Sequence, residues 1–499
     1  MAVFDAENIR YQNCFGYADL EKQLPVREDT VFEWGSATKL LVWVSVMQLW
    51  EAGKLDLDTD IQTYLPEGFL TNLRYDTPVT MTDLMNHRAG LQELLADIML
   101  KDVSKVSDLG SALRQHEPVQ VFVPDTVTAY SNWGVALAGY IVECVSGQPF
   151  YAYVQEHIFS VLGMAHTALA PDLSDNPWVQ EKRQELQCYT TEAVLIPDCF
   201  FHIPIYPAGM STGIAADFTA FAQALLREDC PLFTDPNTRH MLFTPSDYYG
   251  DTGIPRNYHG FWMLPYGGET VGHGGNTIGC SSYLALDLQN GLGAVVMTNQ
   301  SNESVYNVGM MEQIFGKLAP MVDTVPKGIW RAARNVFRGP LKVELLGFQV
   351  MSEKDLEEFF VPDDANGVPL LSYPYGDLMQ VSLPDFIWEL GLVLLWALGL
   401  VFSLCSLLAW PISALIRRAR HKDLPPPDKR RGLRRAAALL QLLLGAAIVA
   451  AALLLIHYAH SSSYTWLFAL CGLLALAMLL VFFLLLKGRE AEQIGRAHV

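Results

Sequence analysis

A serine and a lysine three residues apart stand at the start of the first long apolar segment of the chain. Ser36 and Lys39 precede the run from Leu40 to Trp50, whose apolar residues recur with helical spacing. Residues three apart share a helix face, so Lys39 Nζ can approach Ser36 Oγ. A serine hydroxyl becomes nucleophilic when a base removes its proton, and a lysine whose ammonium is disfavoured by burial can be that base. An N-cap serine followed by a solvated lysine would show the same spacing. The pair alone therefore does not distinguish a catalytic site from an ordinary helix start.

The second candidate is a tyrosine followed closely by an asparagine. Tyr130, Ser131 and Asn132 precede the apolar run from Val135 to Val145. A tyrosine near a lysine can pass a proton to a leaving group, and an asparagine amide can hold both the nucleophile and a substrate carbonyl. A core tyrosine followed by an N-cap asparagine is the alternative interpretation.

The third candidate is a histidine followed by two glycines. His273, Gly274 and Gly275 directly precede a series of strand-like runs. Glycines let a substrate lie along a strand edge, where backbone N–H groups can stabilise an oxyanion. An ordinary glycine turn beside a surface histidine is the alternative.

Strands at both ends of the region and helices between them must carry these residues. The first 20 residues alternate like a strand pair. Helices are predicted from Ser36 to Gly53 and at Thr82–Asn86, Asn132–Ser146, Pro149–Leu162 and Ala216–Arg227, the last with Asp217 as its N-cap, and strands at Gly260–Met263, Ser281–Leu286 and Gly293–Met297. This order predicts an α+β domain whose sheet unites its first and last segments.

Acidic and apolar residues are concentrated in different parts of the 499-residue chain. The whole chain is 51% hydrophobic and carries a net charge of -19. Residues 385–499 contain 12 Lys and Arg against 6 Asp and Glu, whereas residues 1–384 contain 22 against 47. The apolar content excludes a disordered chain, and the acidic excess disfavours a nucleic-acid partner because it repels phosphate.

The apolar excess lies in three stretches without a charged residue, Leu390–Trp410, Ala436–Ile456 and Tyr464–Leu486. Each has about the 20 residues that a helix needs to cross a membrane. With their flanking aromatic residues they predict three transmembrane helices, at about 388–412, 436–456 and 464–486, within a membrane region of residues 385–486.

Basic residues predict the orientation of these helices. The loop between the first two spans carries Arg417, Arg418, Arg420, Lys422, Lys429, Arg430, Arg431, Arg434 and Arg435. The loop at residues 457–463 has no Lys or Arg, so the basic loop is expected on the cytoplasmic side. Three spans then place residues 1–384 outside the cell and the tail 487–499 inside, in a multi-pass protein of the cell membrane.

Both ends of the chain depart from what this topology requires. An exported domain needs a leader, and Met1–Asp5 offers neither a basic start nor a long apolar run, so we expect the N-terminus to be incomplete. Residues 493–499 can be encoded by a widely used sequencing adapter, and we expect them not to belong to the protein.

The eight cysteines form no C-x-x-C pair, so the sequence predicts no metal site. An exported domain permits disulfides, among them a bond between Cys188 and Cys199.

The three candidates together resemble the motif set of the serine beta-lactamase-like superfamily, which is S-x-x-K, Y-x-N and then K-T-G or H-x-G. The branch that the chain resembles contains class C beta-lactamases, D-alanyl-D-alanine carboxypeptidases and esterases. Its surrounding residues are similar as well, at Phe15–Asp19, Glu51–Asp58, Tyr64–Pro66 and Leu84–Leu91. The likeness covers about residues 2–318. It implies an antiparallel sheet flanked by helices, together with an all-helical region.

The resemblance also implies a role for each matching residue. Ser36 would be the acylated nucleophile, Lys39 its proton acceptor and Tyr130 a general acid and base. Asn132 would bind the substrate amide. The family chemistry implied for these residues uses neither a metal nor an organic cofactor.

On the third motif, the resemblance places His273, Gly274 and Gly275 on the substrate-binding strand. The backbone N–H groups of Ser36 and Asn276 would form the oxyanion hole. Many relatives have lysine where this chain has His273, and a largely neutral histidine binds a substrate carboxylate less strongly. In the superfamily, H-x-G resembles peptidases, D-amino-acid hydrolases and some esterases more than efficient beta-lactamases.

These expectations describe a serine hydrolase domain (1–318), a juxtamembrane segment without an assigned role (319–384), and the membrane anchor. The expected substrate is a small D-amino-acid-containing peptide of the cell wall, with a beta-lactam or a simple ester as the alternative. A non-catalytic receptor is an alternative of another class: a beta-lactam or wall fragment would acylate the domain, and the spans would relay the event. The predicted cytoplasmic loop and tail are too short for an effector domain, which argues against the receptor.

Overall fold

An eight-stranded antiparallel sheet joins the first strands of the chain to strands near residue 300. The computed structural model describes residues 1–93, 99–317, 326–335, 348–350, 361–365, 368–420, 429–456 and 469–484. In chain order the strands of this sheet are β1 (Ala2–Asp5), β2 (Ile9–Gln12), β3 (Asp247–Tyr248), β4 (Pro255–Tyr258), β5 (Phe261–Met263), β6 (Thr270–Asn276), β7 (Ser281–Asp287) and β8 (Leu292–Thr298). Their order across the sheet is β3-β4-β5-β6-β7-β8-β1-β2. Because β1 pairs with β8, the predicted union of first and last segments is confirmed.

Most helices of residues 1–318 lie between β2 and β3, and one more follows directly after β8. They are α1 (Lys39–Glu51), α2 (Met81–Met85), α3 (Leu109–Gln115), α4 (Asn132–Ser146), α5 (Phe150–Val154), α6 (Ser160–Leu162), α7 (Pro177–Lys182), α8 (Ala215–Leu226), α9 (Pro236–Leu242) and α10 (Asn307–Phe315). The bounds predicted for α4 are confirmed. The predicted helix at Pro149–Leu162 is α5 and α6 joined by a π-turn at Gln155–Phe159.

Short strands tie the helices together. Val31–Glu33, Thr212–Ile214 and Thr167–Ala168 form a three-stranded sheet, Tyr17–Asp19 pairs with Leu24–Pro25, and Cys188–Tyr189 pairs with Leu195–Ile196.

The prediction that Asp217 caps α8 was wrong. The strand Thr212–Ile214 runs directly into the helix, so the extended residue at its start is Ile214. Asp217 lies in the first helical turn, where its Oδ2 accepts hydrogen bonds from the His166 backbone N at 2.8 Å and Thr167 Oγ1 at 2.8 Å. The carboxylate therefore ties α8 to the neighbouring strand.

Helix α1 is buried on all sides rather than on one face. Every residue from Leu40 to Met47 is buried, and α1 contacts α4, α5 and α9. Full burial of an apolar side chain of this size stabilises a fold by about 1.5–3 kcal/mol. This packing draws Lys39, the first residue of α1, into the core, where it is 0% exposed.

A second sheet, called here the accessory sheet, belongs to the same unit as the first. Its strands are β9 (Ile329–Ala332), β10 (Phe348–Val350), β11 (Val361–Ala365), β12 (Val368–Tyr373) and β13 (Gly376–Val381). Their order is β10-β9-β13-β12-β11. These strands lie in the segment to which the sequence assigned no role.

The described residues from Ser382 onward belong to a separate unit. It contains α11 (Leu383–Ala419) and α12 (Lys429–Ile456). Within them, Leu394–Ile416 and Gly432–Ala450 are long and apolar enough to cross a membrane, by length and composition. A shorter apolar helix spans Ala469–Leu484. The predicted third span extends at both ends outside the described residues.

Candidate active site

A single glycine lets the segment carrying Ser36 lie against strand β6. Gly35 has a φ of +54°, and a Cβ there would lie 2.7 Å from the Asn276 backbone N. On the other side, a Cβ on Gly275 would lie 1.9 Å from the Trp34 carbonyl oxygen. The two backbones therefore meet directly, with Ser282 Oγ donating to Trp34 O at 2.6 Å. This close approach brings the predicted oxyanion-hole residues, Ser36 and Asn276, side by side.

The side-chain nitrogen of Lys39 lies close to Ser36 and contacts two further polar atoms. Gly35–Thr38 form a 3₁₀ turn that continues into α1, and Lys39 Nζ lies 2.9 Å from Ser36 Oγ. Nζ also lies 2.8 Å from Asn132 Oδ1 and 2.5 Å from the Ala208 carbonyl oxygen. Those two oxygens can only accept hydrogen bonds. A neutral amine has two N–H donors and one lone pair, so with both donors used the lone pair is directed at Ser36 Oγ.

Burial favours this neutral amine. Desolvation lowers the pKa of Lys39 to about 7, although the nearby Glu93 carboxylate acts in the opposite direction. A large fraction of the lysine is therefore unprotonated near neutral pH, as a general base requires.

Glu93 orients Asn132 and was not found from the sequence. Its Oε1 accepts from Asn132 Nδ2 at 3.1 Å, and its Oε2 accepts from the Asn132 backbone N at 2.7 Å. The amide nitrogen is thereby held away from Lys39 and the amide oxygen toward it. Burial raises the pKa of Glu93 to about 7. The sequence signal for this role was a lone acid after the run Leu84–Leu91.

Tyr130 lies over Lys39, on the side of the nucleophile. Its ring centroid is 5.1 Å from Lys39 Nζ, and the nearby Ser36 side chain opposes the rise in the Tyr130 pKa that burial causes. Burial raises the Tyr130 pKa above its usual value, so the phenol keeps its proton. His87 stacks on the ring at 4.5 Å while its Nδ1 accepts from the Ser131 backbone N at 3.1 Å. His87 thus fixes the position of Tyr130 from behind.

His273 is a neutral hydrogen-bond acceptor in this site. It is 3% exposed, and burial together with the positive charge of Lys39 lowers its pKa to about 3. Its Nδ1 lies 2.5 Å from the Gly274 carbonyl oxygen, which can only accept, so Nδ1 carries the proton. Nε2 is then a lone-pair acceptor, and it has no hydrogen-bond partner among the described residues. The ring centroid is 6.3 Å from that of Tyr130.

Gly274 and Asn276 complete the predicted strand. Gly274 lies opposite Tyr283 in the sheet, and a Cβ on it would be 3.1 Å from that ring. Asn276 ends β6 exposed to solvent, and its Oδ1 accepts from Ser281 Oγ at 2.7 Å. All eight sequence-predicted site residues therefore lie around Ser36 or on the strand packed against it.

Neither a metal cluster nor a disulfide is found in the described part of the chain. No three His, Cys, Asp or Glu side chains there are grouped to hold a metal ion. Cys188 and Cys199 are free thiols, both close to Arg183 Nη2, at 3.7 and 3.5 Å.

The chain is similar in sequence to known proteins over most of its first 320 residues. The sequence profile described as Beta-lactamase matches residues 1–315. Penicillin-binding protein 4* of Bacillus subtilis (strain 168) is 24% identical over 320 residues, which cover 61% of this chain and 68% of that protein. The putative penicillin-binding protein PbpX of the same organism is 28% identical over 269 residues, which cover 52% of this chain and 60% of the relative.

A solved structure has a similar fold over a longer stretch. The octameric penicillin-binding protein homologue from Pyrococcus abyssi matches with a TM-score of 0.52 and 18% identity, and the match covers 76% of this chain and 95% of that one. At this identity the likeness concerns the fold alone. Its coverage extends beyond the residues that the sequence profile matches.

Proposed function

The chain belongs to the beta-lactamase family, and on this premise we propose that it is a serine hydrolase that acts through an acyl-enzyme on peptides containing D-amino acids. The observation that carries the proposal is the distance of 2.9 Å between Lys39 Nζ and Ser36 Oγ. A buried lysine with a pKa of about 7 in that position is a base matched to neutral pH.

In the first half of the reaction, Lys39 accepts the proton of Ser36 while Ser36 Oγ bonds to the substrate carbonyl carbon. The backbone N–H groups of Ser36 and Asn276 stabilise the oxyanion. The scissile C–N bond then breaks, and the leaving amine takes a proton delivered from Lys39 through the Tyr130 hydroxyl. Asn132 positions the substrate amide.

In the second half, water attacks the ester carbonyl of the acyl-enzyme. Lys39 accepts the water proton, the bond to Ser36 Oγ breaks, and the serine recovers its proton. This regenerates the starting enzyme without metal or cofactor chemistry in the proposed path.

The cell-wall substrate is supported by the anchor and by the relatives. Two apolar helices long enough to cross a membrane follow the hydrolase domain, and two relatives are named penicillin-binding proteins. We propose three membrane spans, the third at the apolar stretch Tyr464–Leu486. Because the basic residues cluster between the first two spans, residues 1–384 would lie on the extracytoplasmic side.

Ester hydrolysis is the second candidate. It is favoured by His273, which is neutral and therefore does not grip a carboxylate as a lysine would. An ester substrate without a carboxylate needs no cation at this position.

The test compares the parent protein with Ser36→Ala on three substrates: an N-acylated D-alanyl-D-alanine peptide, a p-nitrophenyl ester and a fluorescent penicillin. Mass spectrometry follows adduct and product. We expect Ser36-dependent turnover of the peptide. Ester turnover alone would support the second candidate, and a stable adduct without turnover would support a receptor. Turnover that survives Ser36→Ala would refute the nucleophile assignment.

A further inference from the structure

The accessory sheet is bonded to the chain segment that carries Tyr130. The Asp377 backbone N donates to the Thr128 carbonyl oxygen at 2.9 Å, and the Thr128 backbone N donates to Asp377 Oδ2 at 2.7 Å. Asp377 Oδ1 forms an ion pair with Arg256 Nη2 at 2.8 Å, with both side chains 1% exposed. Strand β13 is therefore bonded to Thr128, which lies two positions before Tyr130 in the sequence.

The same packing places a cationic residue, Arg334, near the segment that carries Tyr130. Ala332, at the end of β9, pairs with Leu378 of β13, and the next residue, Ala333, is 1% exposed in a cluster with Ala129. Arg334 follows immediately and is exposed to solvent. Burial raises the pKa of both Tyr130 and Glu93, and the positive charge of Arg334 acts in the opposite direction on each of them. Arg334 forms no ion pair with any of the described residues.

Among the described residues around Ser36, the other cationic or titratable nitrogens are not available to a substrate carboxylate. His273 is neutral, and its Nε2 presents a lone pair, which repels an anion. Lys39 Nζ is engaged by Ser36, Asn132 and Ala208. Arg256 is 1% exposed and is committed to Asp377 and to the carbonyl oxygens of Tyr373 and Gly376. Arg334 is therefore the described cation beside Tyr130 whose charge is available to a ligand.

We propose that Arg334 binds the free carboxylate at the C-terminal end of a peptide substrate, the charge that a lysine at position 273 would otherwise contact. A guanidinium matches a carboxylate with two parallel hydrogen bonds, so it also orients the leaving residue next to Tyr130. The inference rests on the proposed hydrolase function and adds to it a specificity-determining residue, outside the three motifs, that selects peptides ending in a free carboxylate. It makes the accessory sheet part of the specificity site.

The experiment uses the full chain in detergent and a pair of substrates, an N-acylated D-alanyl-D-alanine and the same peptide with a C-terminal amide. Cleavage of the same bond releases D-alanine from one and D-alaninamide from the other. The variants are Arg334→Ala, Arg334→Lys and, as a matched control, Arg10→Ala. Arg10 is an exposed arginine on β2, the edge strand at the far end of the sheet from β3.

For Arg334→Ala we expect KM for the carboxylate peptide to rise by about tenfold or more, the effect of losing one charged hydrogen-bonded contact. We expect kcat to change little and the amide peptide to be cleaved as by the parent. Arg334→Lys should restore part of the affinity, and Arg10→Ala should leave both substrates unaffected. An unchanged KM, or an equal loss on both peptides, would overturn the proposal.

The p-nitrophenyl ester separates this proposal from the proposed function. If the parent cleaves the ester through Ser36 but shows no preference for the carboxylate peptide over the amide, the hydrolase stands and the role of Arg334 is refuted. If the parent forms no Ser36-dependent product or adduct from any substrate, the proposed function fails, and the inference fails with it.

Discussion

Glu93 accepts hydrogen bonds from both the backbone N and the side-chain amide of Asn132, at 2.7 and 3.1 Å. Both oxygens of the carboxylate are used, so the amide oxygen of Asn132 is turned toward Lys39. A residue outside the three recognised motifs thus determines how the second motif faces the first.

The first prediction concerns Glu93→Gln, which replaces one acceptor oxygen by an NH₂ group that cannot accept from Asn132. We expect kcat/KM to fall roughly tenfold to 100-fold, as for loss of a hydrogen bond to a charged group. The Glu93 carboxylate raises the Lys39 pKa, so its removal should also move the acidic limb of the pH profile to lower pH. Ester hydrolysis measured against pH tests both, and a parent-like profile would contradict the role of Glu93.

The second prediction is the pH dependence of the parent. The base is the neutral form of Lys39, whose pKa burial lowers to about 7, so kcat/KM should rise as pH increases through 7. His273, with a pKa of about 3, should stay neutral and contribute no step between pH 5 and 9. Lys39→Met keeps a side chain of similar length but removes the basic nitrogen. It should reduce kcat/KM roughly 10²- to 10⁴-fold. A rate that is flat across this interval would contradict Lys39 as the base.

The third prediction concerns two glycines with positive φ. Gly35→Ala places a Cβ 2.7 Å from the Asn276 backbone N at a φ of +54°, so it should separate Ser36 from β6 and abolish acylation by penicillin. Gly53→Ala is the matched control, because its φ is +65° but nothing lies within 4 Å of the added Cβ. It should lose only about 1–2 kcal/mol of stability and keep its activity. Equal effects of the two variants would show that backbone strain alone, and not the approach of the two backbones, matters here.

The fourth prediction concerns the ion pair between Arg256 and Asp377. Asp377→Ala removes the closer carboxylate partner of a buried guanidinium and leaves only Asp247, at 3.9 Å, so it should destabilise the fold by about 3–5 kcal/mol. The double variant Arg256→Met with Asp377→Leu removes both charges and should recover much of that loss. Thermal unfolding in detergent measures both. A single variant as stable as the parent would mean that the accessory sheet is held by other contacts.

The sequence by itself determined the motifs, the order of the main elements and the apolar stretches. Ser36 and Lys39 were paired by helical spacing, which is a local property, and helix α4 at Asn132–Ser146 was predicted with its observed bounds because its start and end signals are local too. The strand pairing of β1 with β8 followed from the placement of strands at both ends.

Only the tertiary structure decided what surrounds these motifs. The protonation state of Lys39 depends on burial by helices far away in sequence, and the orientation of Asn132 depends on Glu93, 39 residues earlier. Asp217 was misassigned because the strand Thr212–Ile214 runs directly into α8, and the Asp217 carboxylate bonds instead to His166 and Thr167 of a distant segment. Arg334 and Asp377 carried no signal, since an arginine or aspartate on a strand resembles a solvated surface residue until the sheet is docked. Desolvation and long-range contacts arise between segments that are distant in sequence. The spacing of residues along the chain therefore does not predict them.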